Sequence, residues 1–139
     1  MSDLRRAVFF LIPACLLALV SACSMLGLGG HGQRVELNLD RQAVAKTSVS
    51  AGDVLVLNVR NPGSGGYQFA GAYFDPDILL LEKHQLLPPE RAMPGDFGRA
   101  TYELRALKPG RTLVVIKIKR PWEDKPPEQY KSVQVTVHE

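Results

Sequence analysis

The chain has 139 residues, the length of one domain, with 45% hydrophobic and 22% charged side chains, a balance that excludes a wholly disordered chain and a multi-span membrane protein. Lys and Arg number 17 against 14 Asp and Glu, so the net charge is only +3, too weak and too scattered for a nucleic-acid binder; three His and two Cys cannot build a multi-zinc protein. Twelve Gly and ten Pro predict many turns, and hence many short strands.

Residues 1–23 have the layout of a secretory signal. Arg5 and Arg6 form a positive start, an apolar stretch runs from Ala7 to Val20 around Pro13, and Ser21 and Ala22 precede Cys23. The stretch is short for a membrane-spanning helix, which needs about 20 residues. The tetrad Val20-Ser21-Ala22-Cys23 resembles the lipobox of bacterial lipoprotein precursors. That resemblance implies removal of residues 1–22 and acylation of Cys23; the plainer alternative is an incidental cysteine beside an ordinary cleavage site. Each acyl chain adds about 0.8 kcal/mol per buried CH2, so several chains anchor stably. A box ending at Cys15 leaves too short an apolar core. With Cys15 removed and Cys23 acylated, the exported chain has no disulfide, and its core must suffice alone. By the same resemblance, Ser24 in place of Asp after the anchor implies an outer-membrane or periplasm-facing lipoprotein rather than an inner-membrane one. Residues 23–33, with four glycines, read as a flexible tether reaching roughly 5–6 Å times the square root of its length. His31 in it is read as solvent-exposed.

The body, residues 34–139, reads as strands. Val35, Leu37 and Leu39 alternate with Glu36 and Asn38, a period of two. Val54 to Val59 is a run of β-formers after the turn Ala51-Gly52-Asp53. Tyr67 to Phe74 is rich in aromatics and ends at Asp75-Pro76. Ile78 to Leu87 is apolar, and its flanking prolines favour strand over helix. Tyr102, Leu104 and Ala106 alternate with Thr101, Glu103 and Arg105; Leu107-Lys-Pro-Gly110 is a turn. Val114, Ile116 and Ile118 share one face of the segment Thr112–Lys119, and Val133, Val135 and Val137 alternate with polar residues to close the chain. Seven or eight short strands without helical period predict an all-β fold, an antiparallel β-sandwich.

Catalytic constellations are missing from this pattern. His84 sits among leucines and His138 at the terminus, neither near a nucleophile signature such as G-x-S-x-G. Asp75 and Asp77 would suit a calcium ligand pair, but beside Pro76 they read as turn residues. Pro88-Pro89 and Pro126-Pro127 lack the P-x-x-P array of polyproline ligands. The chain reads as a non-enzyme with no cofactor and no metal.

Three segments between strands stand out: Asn61-Pro62-Gly63-Ser64-Gly65-Gly66-Tyr67, Met93-Pro94-Gly95-Asp96-Phe97-Gly98, and Arg120-Pro121-Trp122-Glu123. Taken singly, they read as a Gly-rich hairpin, a loose connection and a Trp capping the sandwich. In this order they resemble the chagasin family of cysteine-peptidase inhibitors. That family has an immunoglobulin-like sandwich with three loops at one end, carrying Asn-Pro-Thr-Thr-Gly-Tyr, a Gly-x-Gly-Gly stretch, and Arg-Pro-Trp or Arg-Pro-Phe. Here Asn61-Pro62 and Gly66-Tyr67 match the ends of the first motif, Gly95 and Gly98 the ends of the second, and Arg120-Pro121-Trp122 the whole third. Tyr102 to Gly110 also resembles the family's segment before its penultimate strand, and the likeness spans roughly residues 44–139. Two departures stand out. Gly63-Ser64-Gly65 replaces two threonines, making the first loop one residue longer, and Phe97 stands where a Gly is usual. The family's second Thr lies near the target's catalytic Cys, and only Ser64 partly stands in for it.

The resemblance implies an immunoglobulin-like antiparallel sandwich that acts as a monomeric, reversible, non-covalent inhibitor of papain-like cysteine proteases. Its protease-binding residues would be Asn61, Pro62, Gly63, Ser64, Gly65, Gly66, Tyr67, Gly95, Asp96, Phe97, Gly98, Arg120, Pro121 and Trp122. A lipid-anchored module binding a protein partner through the same loops, without inhibiting a protease, is the alternative.

Overall fold

The alternation of apolar and polar residues becomes eight strands in a computed structural model that describes residues 32–91 and 93–139. They are β1 (Arg34–Asn38), β2 (Val44–Ser50), β3 (Val54–Arg60), β4 (Gln68–Tyr73), β5 (Leu79–Leu87), β6 (Arg99–Ala106), β7 (Gly110–Lys119) and β8 (Glu128–His138). The signal segment, Cys23 and most of the tether lie outside the described residues.

The strands form two four-stranded sheets, ordered β1-β3-β6-β5 and β2-β8-β7-β4. Their inward side chains build one core: Tyr102 and Leu104, Val114 and Ile116, and Val133, Val135 and Val137, which alternate as expected, are buried together with Leu55, Leu57 and Val59. Among the described residues that cluster runs from Leu39 to Val137, and both sheets contribute to it.

The all-β sandwich is as expected, but strand direction departs from the all-antiparallel expectation. β1 runs parallel to β3, with Val35 opposite Leu55, and β2 runs parallel to β8, with Val49 opposite Val137. A period of two is common to both directions, so the pattern cannot distinguish them. A parallel pair needs a crossover; here β2, seated in the other sheet, supplies it between β1 and β3. β2 itself carries no strong sequence signal, because Ala45 and Thr47 are weakly apolar inward residues and only Val49 is bulky.

Of the apolar segment Ile78–Leu87, Leu79–Leu87 forms a strand and Ile78 ends the turn before it, yet the strand's apolar composition exceeds its burial. β5 is an edge strand with a bulge between Leu81 and Lys83, and Leu80, Leu81, Leu86 and Leu87 are exposed. His84 is exposed and stacks on Tyr102, with ring centroids 4.5 Å apart. Asp75 is a turn residue as read: its Oδ1 accepts the Asp77 N–H at 2.9 Å.

Register fixes where the connections fall. Arg60 at the end of β3 lies opposite Arg99 at the start of β6, and Leu87 at the end of β5 also lies opposite Arg99. Gln68 at the start of β4 lies opposite Lys119 at the end of β7. The connections 61–67, 88–98 and 120–127 therefore emerge at one end of the sandwich. Gln33 and the turn between β2 and β3 lie at the other, where Gln33 N and Ser50 N both donate to the Asp53 carboxylate at 2.8 Å.

Candidate functional site

The first loop starts as an Asx turn: Asn61 Oδ1 accepts the Gly63 N–H at 3.0 Å. Its backbone is tied to the middle loop, since Asn61 N donates to Gly98 O at 2.9 Å. Pro62 and Gly63 are half-buried, Ser64 and Gly65 are exposed at the tip, and Gly66 and Tyr67 are again half-buried.

The middle loop repeats the device, with Asp96 Oδ1 accepting the Gly98 N–H at 3.0 Å. Gly98 is buried at a positive φ of 86°. A Cβ there would collide with Leu87 O and come within 3.2 Å of the Pro88 carbonyl carbon, so this end of the second motif admits only glycine. Gly95 at the other end faces open space. Phe97, between them, is 46% exposed, and its ring edge is 4.0 Å from where a Cβ on Gly63 would lie.

The third loop is held by Arg120. Its Nε donates to Gly65 O at 2.8 Å, Nη1 donates to Glu123 Oε1 at 2.9 Å, and the guanidinium lies 4.3 Å from the centroid of the Tyr67 ring. One side chain thus ties the third loop to the first by a fork of donors and a stacked plane, which a lysine cannot reproduce. Arg120 and Lys125 hold the Glu123 carboxyl below its ordinary value, and the Glu128 carboxylate pushes the Tyr67 hydroxyl up. Trp122 is 69% exposed and lies against Gly66. The reading of Trp122 as a cap on the sandwich core does not hold: the ring is outside the core cluster.

The glycine-rich first loop therefore lies between two exposed aromatics, Phe97 beside Gly63 and Trp122 beside Gly66. All fourteen residues singled out in the sequence fall in these three loops at one end of the fold. Four supporting residues lie outside those fourteen. Glu123 and Glu128 brace Arg120 and Tyr67. Asp40, outside all three loops, accepts Arg60 N at 2.9 Å and pairs with Arg99 at 2.5 Å, and Tyr130 donates to Arg60 O at 3.1 Å. Only Glu123 had a local cue, an opposite charge three residues after Arg120.

Comparisons with known proteins bear on the family and the fold. A family model described as "Chagasin family peptidase inhibitor I42" matches residues 48–137. Among solved structures, the cysteine protease inhibitor EhICP2 from Entamoeba histolytica superposes with a TM-score of 0.63 at 24% identity, covering 79% of this chain and all of that one. PbICP-C, solved in complex with falcipain-2, gives 0.52 at 19% identity, covering 77% of this chain and all of that one. Amebosin gives 0.50 at 13%, with the same coverage. At these identities the likeness is one of fold. No curated protein matches the chain.

Proposed function

The chain belongs to the chagasin family of peptidase inhibitors, whose members are inhibitors and not enzymes, and from that premise we propose that it is a reversible, non-covalent inhibitor of papain-like cysteine proteases. The observation that carries this reading is the first loop flanked by exposed Phe97 and Trp122 and fastened from behind by Arg120. Papain-like enzymes keep a Cys–His pair at the floor of a cleft. A wedge of three loops on a rigid sandwich fills such a cleft with little ordering cost. Glycines at the tip let backbone approach the nucleophile, while the aromatics supply the large rigid contacts that dominate interfaces. A chain held in non-substrate geometry is not cleaved, so the complex dissociates intact.

Titration of papain with residues 32–139 tests this reading. Activity should fall stoichiometrically, return on dilution, and fall equally with chelator present. Undiminished papain activity at saturating protein would favour the non-inhibitory binding module instead.

The lipobox-like tetrad supports a second part of the proposal, that Cys23 anchors the exported protein to a membrane. Cys23→Ala should abolish acyl labelling and leave unprocessed precursor. Unchanged labelling and processing would remove the anchor from the account.

A further inference from the structure

The two outer faces of the sandwich differ in charge. On the β1-β3-β6-β5 sheet, two arginines are matched by acids: Arg34 forks onto Glu103, and Arg105 onto Glu82. The β2-β8-β7-β4 sheet is different. Lys46, Arg111, Lys117 and Lys119 alternate with inward residues and so point outward. None of the four is in an ion pair among the described residues. No outward position of β2, β4 or β7, nor of β8 from Ser132 to His138, carries a carboxylate. Among the described residues the only carboxylate on these four strands is Glu128, at the loop end of β8, so the outer face of this sheet carries a net positive charge.

The register places Lys46 opposite Gln134, and Thr136 opposite both Ser48 and Arg111. These side chains line an open depression of about 490 Å³. Two cations flanking hydroxyl and amide groups suit a phosphate diester, which takes charge-assisted hydrogen bonds from Arg and Lys. Beside them Tyr73 and Leu113 stand 49% and 51% exposed, an aromatic and an aliphatic side chain among cations, as at a membrane interface.

We propose that this face docks on a membrane surface of anionic phospholipid, with a headgroup phosphate between Lys46 and Arg111. Charge complementarity selects the occupant, and the path of the chain agrees with it. The first described residues, Gly32 and Gln33, lie at the end where Asp53 ties Gln33 to Ser50, the last residue of the strand that carries Lys46 and Ser48. A membrane reached from that end lies beside the Lys46–Arg111 depression. The three loops extend from the opposite strand ends and stay uncovered. The proposal stands apart from protease inhibition and does not require acylation of Cys23.

Co-sedimentation tests it without a protease. Residues 32–139, which hold the core cluster of both sheets, are mixed at low salt with vesicles of equal phosphatidylglycerol and phosphatidylcholine, and with phosphatidylcholine alone. Pelleting with the first and not the second is expected, fading as salt is raised. Lys46→Ser with Arg111→Ser should lower the partition coefficient roughly 30-fold, at about 1 kcal/mol per cation near the surface. Lys83→Ser with Arg41→Ser, away from the depression, should leave it unchanged. Equal pelleting with both vesicles, or equal loss from both double variants, would overturn the proposal. So would retention on double-stranded DNA or heparin with no pelleting on vesicles, which would assign the face to a polyanion.

Discussion

The six-membered ring of Trp122 fills the space that a side chain on Gly66 would need. A Cβ on Gly66 would lie 2.8 Å from Cζ2 and 2.9 Å from Cζ3, and closer still to Cη2, at a backbone φ of +73°. Two loops separated by β4 through β7 thus meet at a position where only glycine lets the indole lie flat. Gly66→Ala adds a left-handed penalty of about 1–2 kcal/mol and drives the ring off. Because the indole is largely exposed, it swings away without disturbing the core. Papain inhibition should weaken at least tenfold while the thermal midpoint falls only by the backbone penalty. Unchanged inhibition would show that the Gly66 contact does not present Trp122.

Trp122→Ala separates binding from folding more sharply. A central aromatic at an interface is worth about 2 kcal/mol or more, roughly 30-fold in the inhibition constant. An exposed side chain outside the core contributes within about 0.5 kcal/mol of zero to stability. Calorimetry and inhibition on the same variant should therefore disagree. A variant that melts several degrees lower but inhibits normally would assign Trp122 to the fold alone.

Arg120 ties the third loop to Gly65, and its partner Glu123 makes that tie sensitive to acid. Arg120 and Lys125 lower the carboxyl of Glu123 from its ordinary value. A lowered carboxyl pKa means the interaction is complete above the ordinary Glu value and is lost as pH falls through the lowered one. Trp122 is the only tryptophan in the chain, so its fluorescence reports the loop directly. The emission should change with an apparent pKa below 4.5, and Glu123→Gln should remove that step. Arg120→Lys, which keeps the charge but loses the fork, should weaken inhibition at neutral pH. A fluorescence profile identical in Glu123→Gln and the parent would detach the acid step from this pair.

The fold was legible in the sequence wherever inward residues are bulky, as in Val114, Ile116 and Ile118 or Val133, Val135 and Val137. It was not legible in β2, whose inward residues Ala45 and Thr47 give little contrast, nor in the direction of β1 and β2, which a period of two does not encode. The loops were legible through Pro, Gly and Trp, residues that mark backbone and interface demands by type. Asp40 was not, because its partners Arg60 and Arg99 lie far along the chain and meet it only through the parallel pairing of β1 with β3 and the antiparallel pairing of β3 with β6. The one-sided charge of the β2-β8-β7-β4 sheet was hidden for the same reason: its cations are scattered in sequence and gathered only by register.

Tyr102 carries a cost inside the core. It is 1% exposed, and its hydroxyl has no hydrogen-bond partner among the described residues. Burial pushes that hydroxyl up to about 12. Removing an unsatisfied buried hydroxyl while keeping the ring should be neutral or stabilising by about 1 kcal/mol, a rise of roughly 4–8 °C per kcal/mol in a domain of this size. A raised pKa leaves the fold's stability intact below the unfolded value near 10 and erodes it as pH climbs towards the folded value. Tyr102→Phe should therefore melt at or above the parent's temperature at pH 7, and should show a shallower alkaline decline than the parent, whose Tyr67 and Tyr130 hydroxyls are also raised. A loss of 2 kcal/mol or more at pH 7, read by denaturant titration, would mean that the hydroxyl has a partner after all.

Asp40 braces the roots of the first and middle loops. Arg60 and Arg99 lie opposite each other where those loops leave the sheet, two like charges that repel when unmatched. Asp40 accepts the Arg60 N–H through one carboxylate oxygen and the Arg99 guanidinium through the other. Burial alone would raise its carboxyl, but the hydrogen bonds from Arg99 and from the Arg60 backbone outweigh that and leave it lowered. The sign follows: its contribution is present above the ordinary value of 3.8 and disappears as pH falls through the lowered value. Arg99 is a third exposed, so the loss in Asp40→Asn at neutral pH should be only about 1 kcal/mol, with a weaker inhibition constant because both loop roots loosen. Below the lowered value the parent has lost the same charge, so the two melting curves should converge there. Thermal midpoints collected from pH 7 to pH 2 on both proteins check this, and curves that stay parallel throughout would show that the Asp40 charge is not what holds the two loop roots together.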